Sequence, residues 1–187
     1  MTGPPPMTPT TRDEALAQLT AAGERFTAAF GSLSDTQWTW SPDDKTWAPQ
    51  QIAEHLVAVD ELTGRLLGPG FGTFAEVNFT DAQRAKKDVL IPHAVADRTT
   101  KIEAPEPIRP KGRFATRVEA LAALAATREA LATVVRTSTA DFRSRGRPHP
   151  VLGTLDGIQW VIFAVAHGER HLAQLAELRA HPGFPAA

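Results

Sequence analysis

Three of the six histidines in this chain, His55, His167 and His171, fall inside apolar patterns of helical period. The seam around the first runs Ala48, Ile52, His55, Val59, Leu62, Leu66. The seam around the other two runs Trp160, Ala164, His167, His171, Gln174, Leu178. Residues four apart share a helix face, so His167 and His171 can grip one ion from one side, with His55 meeting it from a second inward-facing seam. Three imidazoles offer uncharged nitrogen ligands, the set with which catalytic zinc keeps a water in its fourth position. Zinc is the first expectation for such a divalent ion, and nickel, iron or cobalt accept the same donors. The alternative is three separate core histidines, each with its own hydrogen-bond partner. A pair at i and i+4, with a third on another inward seam, weighs toward a shared ion. The chain has no cysteine, which removes disulfides, thiolate ligands and a cysteine nucleophile together. No side chain is singled out as catalytic: the reacting group is expected to be a metal-bound water or thiol.

Other patterns are weaker. H-G-E-R-H at 167–171 has the histidine spacing of the zinc-protease motif H-E-x-x-H, but Gly168 occupies the position of the catalytic glutamate. Glu169 lies about 200° around the helix from His167 and points off the ligand face, toward Arg25, Arg65 or Arg128. His93 and His149 each adjoin a proline, as loop residues would, and His181 follows the last helix. All three read as surface residues, with His149 kept as a candidate for a site mouth. G-P-G-F-G at 68–72 follows a helix and contains proline, unlike a phosphate loop. Trp47 reads as packing, while Trp38 and Trp40 stay open between packing and a substrate mouth. Asp156 and Glu54 read as helix-surface charges, Glu54 with a second option as a support for its neighbour His55. No nucleophile-elbow signature accompanies the serines.

The elements that must position the histidines are helices. Hydrophobic residues make up 42% of the 187 and charged residues 22%, a globular balance. Basic and acidic side chains number 20 and 21, which steers the chain to neither nucleic acid nor an anionic membrane. No apolar stretch approaches the roughly 20 residues that span a bilayer. Residues 1–10 carry four prolines and no signal-peptide pattern, so a disordered tail and a cytoplasmic location are expected. The first helix should start near Thr11, a capping box with Glu14, and bury Leu16, Leu19, Gly23, Phe26 and Phe30. The second should start at Pro49 and stop at Gly68. Residues 68–113 form a long connection with a short helix over 81–90, capped by Thr80 or Asp81, and an extended A-P-E-P-I-R-P stretch at 104–110. The third helix spans about 115–137 with Val118, Leu121, Leu124 or Ala125, Leu131 and Val135 inward. A basic loop covers 143–150, and the fourth helix spans about 154–180. No strand-like alternation is visible. The domain therefore covers 11–182, with a C-terminal tail at 183–187. Its long connection lets the second and third helices run parallel.

Three segments then carry a family resemblance. W-A-P-Q-Q-I-A-E-H-L at 47–56, H-P-V-L-G-T-L at 149–155 and A-H-G-E-R-H-L-A-Q-L at 166–175 resemble the DinB-like superfamily, which includes the YfiT-like bacterial thiol transferases. The resemblance spans about residues 12–180. It implies a four-helix bundle in up-down-down-up order, with a metal held by residues matching His55, His167 and His171. Characterised relatives transfer a low-molecular-weight thiol, such as bacillithiol or mycothiol, onto electrophiles.

The leading expectation is thus a metal-dependent enzyme that transfers such a thiol to a small electrophilic substrate. The same site could activate water as a hydrolase, or the bundle could be a non-enzymatic stress-response protein that keeps its metal for structure. A homodimer is an open option.

Overall fold

The computed structural model describes residues 11–99 and 102–186, so the expected N-terminal tail at 1–10 lies outside the described residues. The helices are α1 (Arg12–Gly31), α2 (Asp35–Thr39), α3 (Pro49–Leu67), α4 (Asp81–Ala96), α5 (Arg117–Thr137) and α6 (Gly157–Ala180). Local chemistry sets most of their starts. Thr11 accepts from the Glu14 N–H at 3.2 Å, and the Glu14 carboxylate accepts from the Thr11 N–H at 3.0 Å, which closes the expected capping box. Pro49 opens α3, and Thr80 caps α4 through Gln83. The five-residue α2 was not expected; Ser34 and Gln37 cap it in the same reciprocal way.

Four long helices, α1, α3, α5 and α6, make the bundle, and side-chain contacts fix their directions. Gly68 at the end of α3 faces Val134 near the end of α5, while Glu54 near the start of α3 binds the chain entering α5, so these two are parallel. Arg12 at the start of α1 donates to Ser138 and Ala140 carbonyls beyond the end of α5. Arg117 at the start of α5 donates to Leu33 O at 2.8 Å beyond the end of α1, so α1 and α5 are antiparallel. Arg179 in the last turn of α6 reaches Ala29 O in the last turn of α1, which makes those two parallel. The order is up-down-down-up, as expected. The core between them is apolar, with Leu19, Phe26, Phe30, Ile52, Leu56, Leu124, Leu131 and Leu175 buried. Among the described residues no helix is long and apolar enough to cross a membrane.

The structure corrects several expectations. Strands do form: β1 (Ala75–Glu76), β2 (Arg145–His149) and β3 (Gly153–Asp156) make a small antiparallel sheet in the order β1-β2-β3. They are too short, and too broken by Gly146 and Pro148, to show alternation. The hairpin turns through Gly153 at φ +68°, a conformation that suits glycine. It occupies what read as a basic loop at 143–150 and delays the last helix from 154 to 157. Asp156 is no surface charge. It is buried, caps α6 through the Gln159 N–H at 2.9 Å, and shares the Arg143 guanidinium with buried Asp88.

The short helix expected to end at 90 continues through Pro92 to Ala96. Proline costs it one backbone hydrogen bond, and the burial of Ile91 and Val95 holds it against α6. His93 is therefore helical and His149 lies on β2; neither sits in a loop. The 104–110 stretch is not wholly extended, because Glu106–Ile108 makes a 3-10 turn with proline in its first positions, where no N–H is needed. Val118 is 73% exposed. The inward stripe of α5 is instead Ala120, Leu124, Arg128, Leu131 and Val135. Its phase follows Arg128, which enters the core to meet Asp60 at 2.9 Å.

Candidate metal centre

The seams deliver what their spacing promised. In α3 the apolar neighbours Ile52 and Leu56 are buried, which turns His55 into the bundle. In α6 the first half is apolar apart from Gln159 and largely buried, and His167 and His171 follow it one turn apart. The Nε2 atoms of the three rings converge: His167 Nε2 is 3.3 Å from His55 Nε2 and 3.3 Å from His171 Nε2. The three ligand atoms all lie within 4.8 Å of one another.

The tautomers explain why this cluster suits a cation. His55 Nδ1 lies 2.7 Å from Ile108 O, a carbonyl that can only accept, so Nδ1 carries the proton and Nε2 presents a lone pair. His171 Nδ1 meets Gln174 Oε1 at 2.9 Å, with the same consequence. His167 has no such choice. Protonated on Nε2 it leaves its buried Nδ1, which has no hydrogen-bond partner, with an unsatisfied lone pair. Protonated on Nδ1 it brings three lone pairs together. A cation resolves the second arrangement. Two nitrogens bound about 2.05 Å from one tetrahedral ion stand about 3.3 Å apart, which is the separation observed.

Burial lowers the proton affinity of all three rings. His171 is pushed down to about 3, mainly by burial and then by the charge His55 would carry. His167 falls well below the ordinary range, mainly by burial and then by the charges His171 and His55 would carry; burial also lowers His55, against the support that Ile108 O gives its protonated form. Neutral imidazole is the form that ligates metal, so the site is ready for an ion at neutral pH.

The long connection between α3 and α5 supports the cluster from outside, and sequence reasoning missed how. Glu54 is buried and its carboxylate accepts from the N–H groups of Lys111, Gly112 and Arg113 at 2.6, 3.0 and 3.2 Å. It is neither a surface charge nor in contact with the His55 ring. It anchors the segment whose Ile108 carbonyl orients that ring. Trp47 also does more than pack: its ring lies 5.0 Å from His55 and stacks on His171 at 6.4 Å. Trp47, His171 and Gln174 line a cavity of about 710 Å³. Trp38 is buried core, and Trp40 packs on His181 and Phe184. His149 does not line this cavity. It packs at a tilt against Trp160 and Phe163, and Phe163 in turn contacts His167.

Glu169 turns away from the three histidines, as its helical angle requires, and pairs with Arg25, whose Nε donates at 3.0 Å. Gly168 cannot host the protease glutamate. Its backbone passes so close to Phe26 that a Cβ there would overlap the ring.

Comparison with known proteins agrees with this architecture. The chain is 25% identical to the uncharacterized protein YuaE of Bacillus subtilis (strain 168) over 147 residues, 79% of this chain and 86% of YuaE. It superposes on TT2238, described as a four-helix bundle protein, with a TM-score of 0.55 and 22% identity, covering 91% of this chain and all of that one. YfiT from Bacillus subtilis, described as a probable metal-dependent hydrolase with an unusual four-helix bundle topology, superposes with a TM-score of 0.61 and 17% identity over 98% of this chain and 95% of that one. The family model of the DinB superfamily matches residues 18–175. With a bundle of this order and a match across most of its length, the chain belongs to the DinB superfamily.

Proposed function

We propose that the chain is a metal-dependent enzyme whose divalent ion, zinc in the first instance, is held by Nε2 of His55, His167 and His171, and that it transfers a low-molecular-weight bacterial thiol to an electrophilic substrate. The observation that carries the metal reading is the convergence of three imidazole nitrogens, with His167 Nε2 3.3 Å from Nε2 of each of the other two, and with Nδ1 of His55 and of His171 already engaged. A bound divalent ion supplies positive charge that lowers the pKa of a thiol or water beside it.

The surroundings favour the thiol. Glu54 and Glu169, the carboxylates beside the ligands in sequence, are committed to backbone N–H groups and to Arg25, so neither serves as a general base. A thiol, with a reference pKa of about 8.5, needs less help to ionise than water does. With no cysteine in the chain, that thiol is a co-substrate and never the protein's own. A cytoplasmic location, where such thiols stay reduced, accords with this reading. The hydrolase reading stays beside it because YfiT is described as a probable metal-dependent hydrolase. The cavity against His171 weighs against a closed, purely structural site of a stress-response protein.

The test is metal analysis of the purified chain joined to a transfer assay. About one divalent ion per chain is expected, lost in the His55→Ala, His167→Ala and His171→Ala variants. Reaction with a chlorinated nitrobenzene should require metal and added thiol together, saturate in thiol, and vanish in His167→Ala. Ester or amide hydrolysis without any thiol rate would give the site to the hydrolase reading. Full metal content in all three variants would end the assignment.

A further inference from the structure

The side chain that sets the His171 tautomer has a second end. Gln174 follows His171 by three residues in α6, so the two share a helix face. His171 turns Nε2 to the cluster, 3.3 Å from His167 Nε2, and its Nδ1 meets Gln174 Oε1 at 2.9 Å. Because Nδ1 carries the proton, the amide presents its oxygen there, which fixes how the planar group faces. What remains is an NH2 group with two donors and no capacity to accept. Among the described residues Gln174 Nε2 has no hydrogen-bond partner. It is also not among the buried polar atoms left unpaired, so it stays open to the cavity of about 710 Å³ that Gln174 lines. Trp47 lines the same cavity, and its ring stacks on the same imidazole at 6.4 Å.

We propose that Gln174 is a substrate-binding residue, whose N–H groups hold a carbonyl-type acceptor oxygen on a ligand seated in this cavity. The ligand class is thus a ketone, aldehyde, ester or nitro compound. Taking that ligand as the electrophile rests on the enzymatic reading above; the hydrogen bond itself does not. A donor-only group selects for an acceptor, because a ligand without one strips water from the N–H groups and returns no partner. One amide thereby does two things. Its oxygen holds the ring that points Nε2 into the cluster, and its nitrogen registers the ligand against that same ring.

The test titrates the full-length, zinc-treated chain with acetophenone and with α-methylstyrene, which share a shape and differ in the carbonyl oxygen. In NMR, acetophenone should move the Gln174 side-chain amide protons downfield as the hydrogen bond forms, and α-methylstyrene should not. Gln174→Glu keeps an oxygen for the His171 Nδ1–H and removes both donors. It should retain zinc, while the ratio of ketone to alkene affinity falls about tenfold. A purely structural Gln174 would leave that ratio unchanged. Failure of the wild-type chain to bind the ketone overturns the proposal, as does binding without the downfield shift or a ratio unchanged in Gln174→Glu. A ketone that simply ligates the ion gives the last two results. If Gln174→Glu loses its zinc or its fold, the wild-type amide shift decides alone. The shift in a chain that binds no zinc would defeat the enzymatic reading and leave this contact standing. Bound zinc without the shift would do the reverse.

Discussion

A Cβ built on Gly168 would stand 1.9 Å from Cζ of Phe26. The ring of α1 thus touches the backbone of α6 between His167 and His171, and side-chain volume there is excluded. Gly168→Ala gains about 1 kcal/mol of helix propensity, yet it must push a fully buried phenylalanine aside. Overpacking of this kind costs about 1–3 kcal/mol. The net effect should be loss of stability in denaturant unfolding together with weaker metal binding in calorimetry. A more stable variant with unchanged affinity would show that the contact is soft.

Glu54 should matter to a metal it never touches. Glu54→Gln removes the charge from three hydrogen bonds and leaves one acceptor oxygen for the N–H groups of 111–113. A loss of about 1–3 kcal/mol is expected. With the crossover loosened, Ile108 O holds the His55 ring less firmly, and metal affinity should fall about tenfold or more. Amide exchange at 111–113 should accelerate in the same variant. Faster exchange without any change in affinity would separate the crossover from the site.

Buried charge lies deeper in the same bundle. Asp60 and Arg128 approach to 2.9 Å with both side chains almost wholly enclosed, and Arg128 also covers the Phe26 ring at 4.8 Å. Asp60→Ala should cost about 3–5 kcal/mol because it strands a guanidinium in the core. The double variant Asp60→Leu, Arg128→Met should cost less than Asp60→Ala alone. Urea midpoints for the wild type and the two variants decide this, and a double variant at least as destabilised as Asp60→Ala would contradict it.

Acid should weaken the metal-free chain. Burial lowers the pKa of His55, His149, His167 and His171 in the folded state, so the unfolded state binds more protons below about 6.5. Stability is complete above that value and drains away as pH falls toward about 3, the value reached by His171. Asp60 opposes this: burial raises it to about 6, so its contribution declines as pH climbs from 3.8 to that value. Unfolding of chelated protein between about pH 7.5 and 5 should therefore show falling stability, and a steeper fall in Asp60→Asn. A flat profile in both would mean that the histidines are not buried in neutral form.

How far these features could be read from sequence depends on the distance over which each is specified. Thr11 with Glu14, Pro49, and Thr80 before Gln83 act within one turn, and each helix start was legible. The convergence of His55, His167 and His171 was legible because a helix repeats every 3.6 residues, so an apolar seam declares which histidines face inward. Asp156 and Glu54 were misread because their partners, Arg143 in one case and the backbone of 111–113 in the other, are brought to them only by the fold. Ile108 acts through a carbonyl, which every residue has, and no side-chain pattern marks it. The phase of α5 was lost for a similar reason: Arg128, a candidate partner of Glu169 by sequence, turns into the core because the fold sets Asp60 opposite it. The sheet had too few residues per strand to leave a periodic trace.

The parallel pairing of α3 with α5, and of α1 with α6, has an electrical result. In an alternating bundle each helix dipole is opposed by its neighbours. Here the N-termini of α3 and α5 emerge side by side at the end nearer the histidines, while the C-termini of α1 and α6 emerge together across from them. Each terminus carries a partial charge of about half a unit. That end is therefore split into a positive and a negative half, and the local charges complement both: the Glu54 carboxylate sits at the starts of α3 and α5, and the guanidinium groups of Arg117 and Arg179 sit at the close of α1. The three histidines, contributed by α3 and α6, straddle the boundary, so whatever occupies them lies in a transverse field generated by chain order alone.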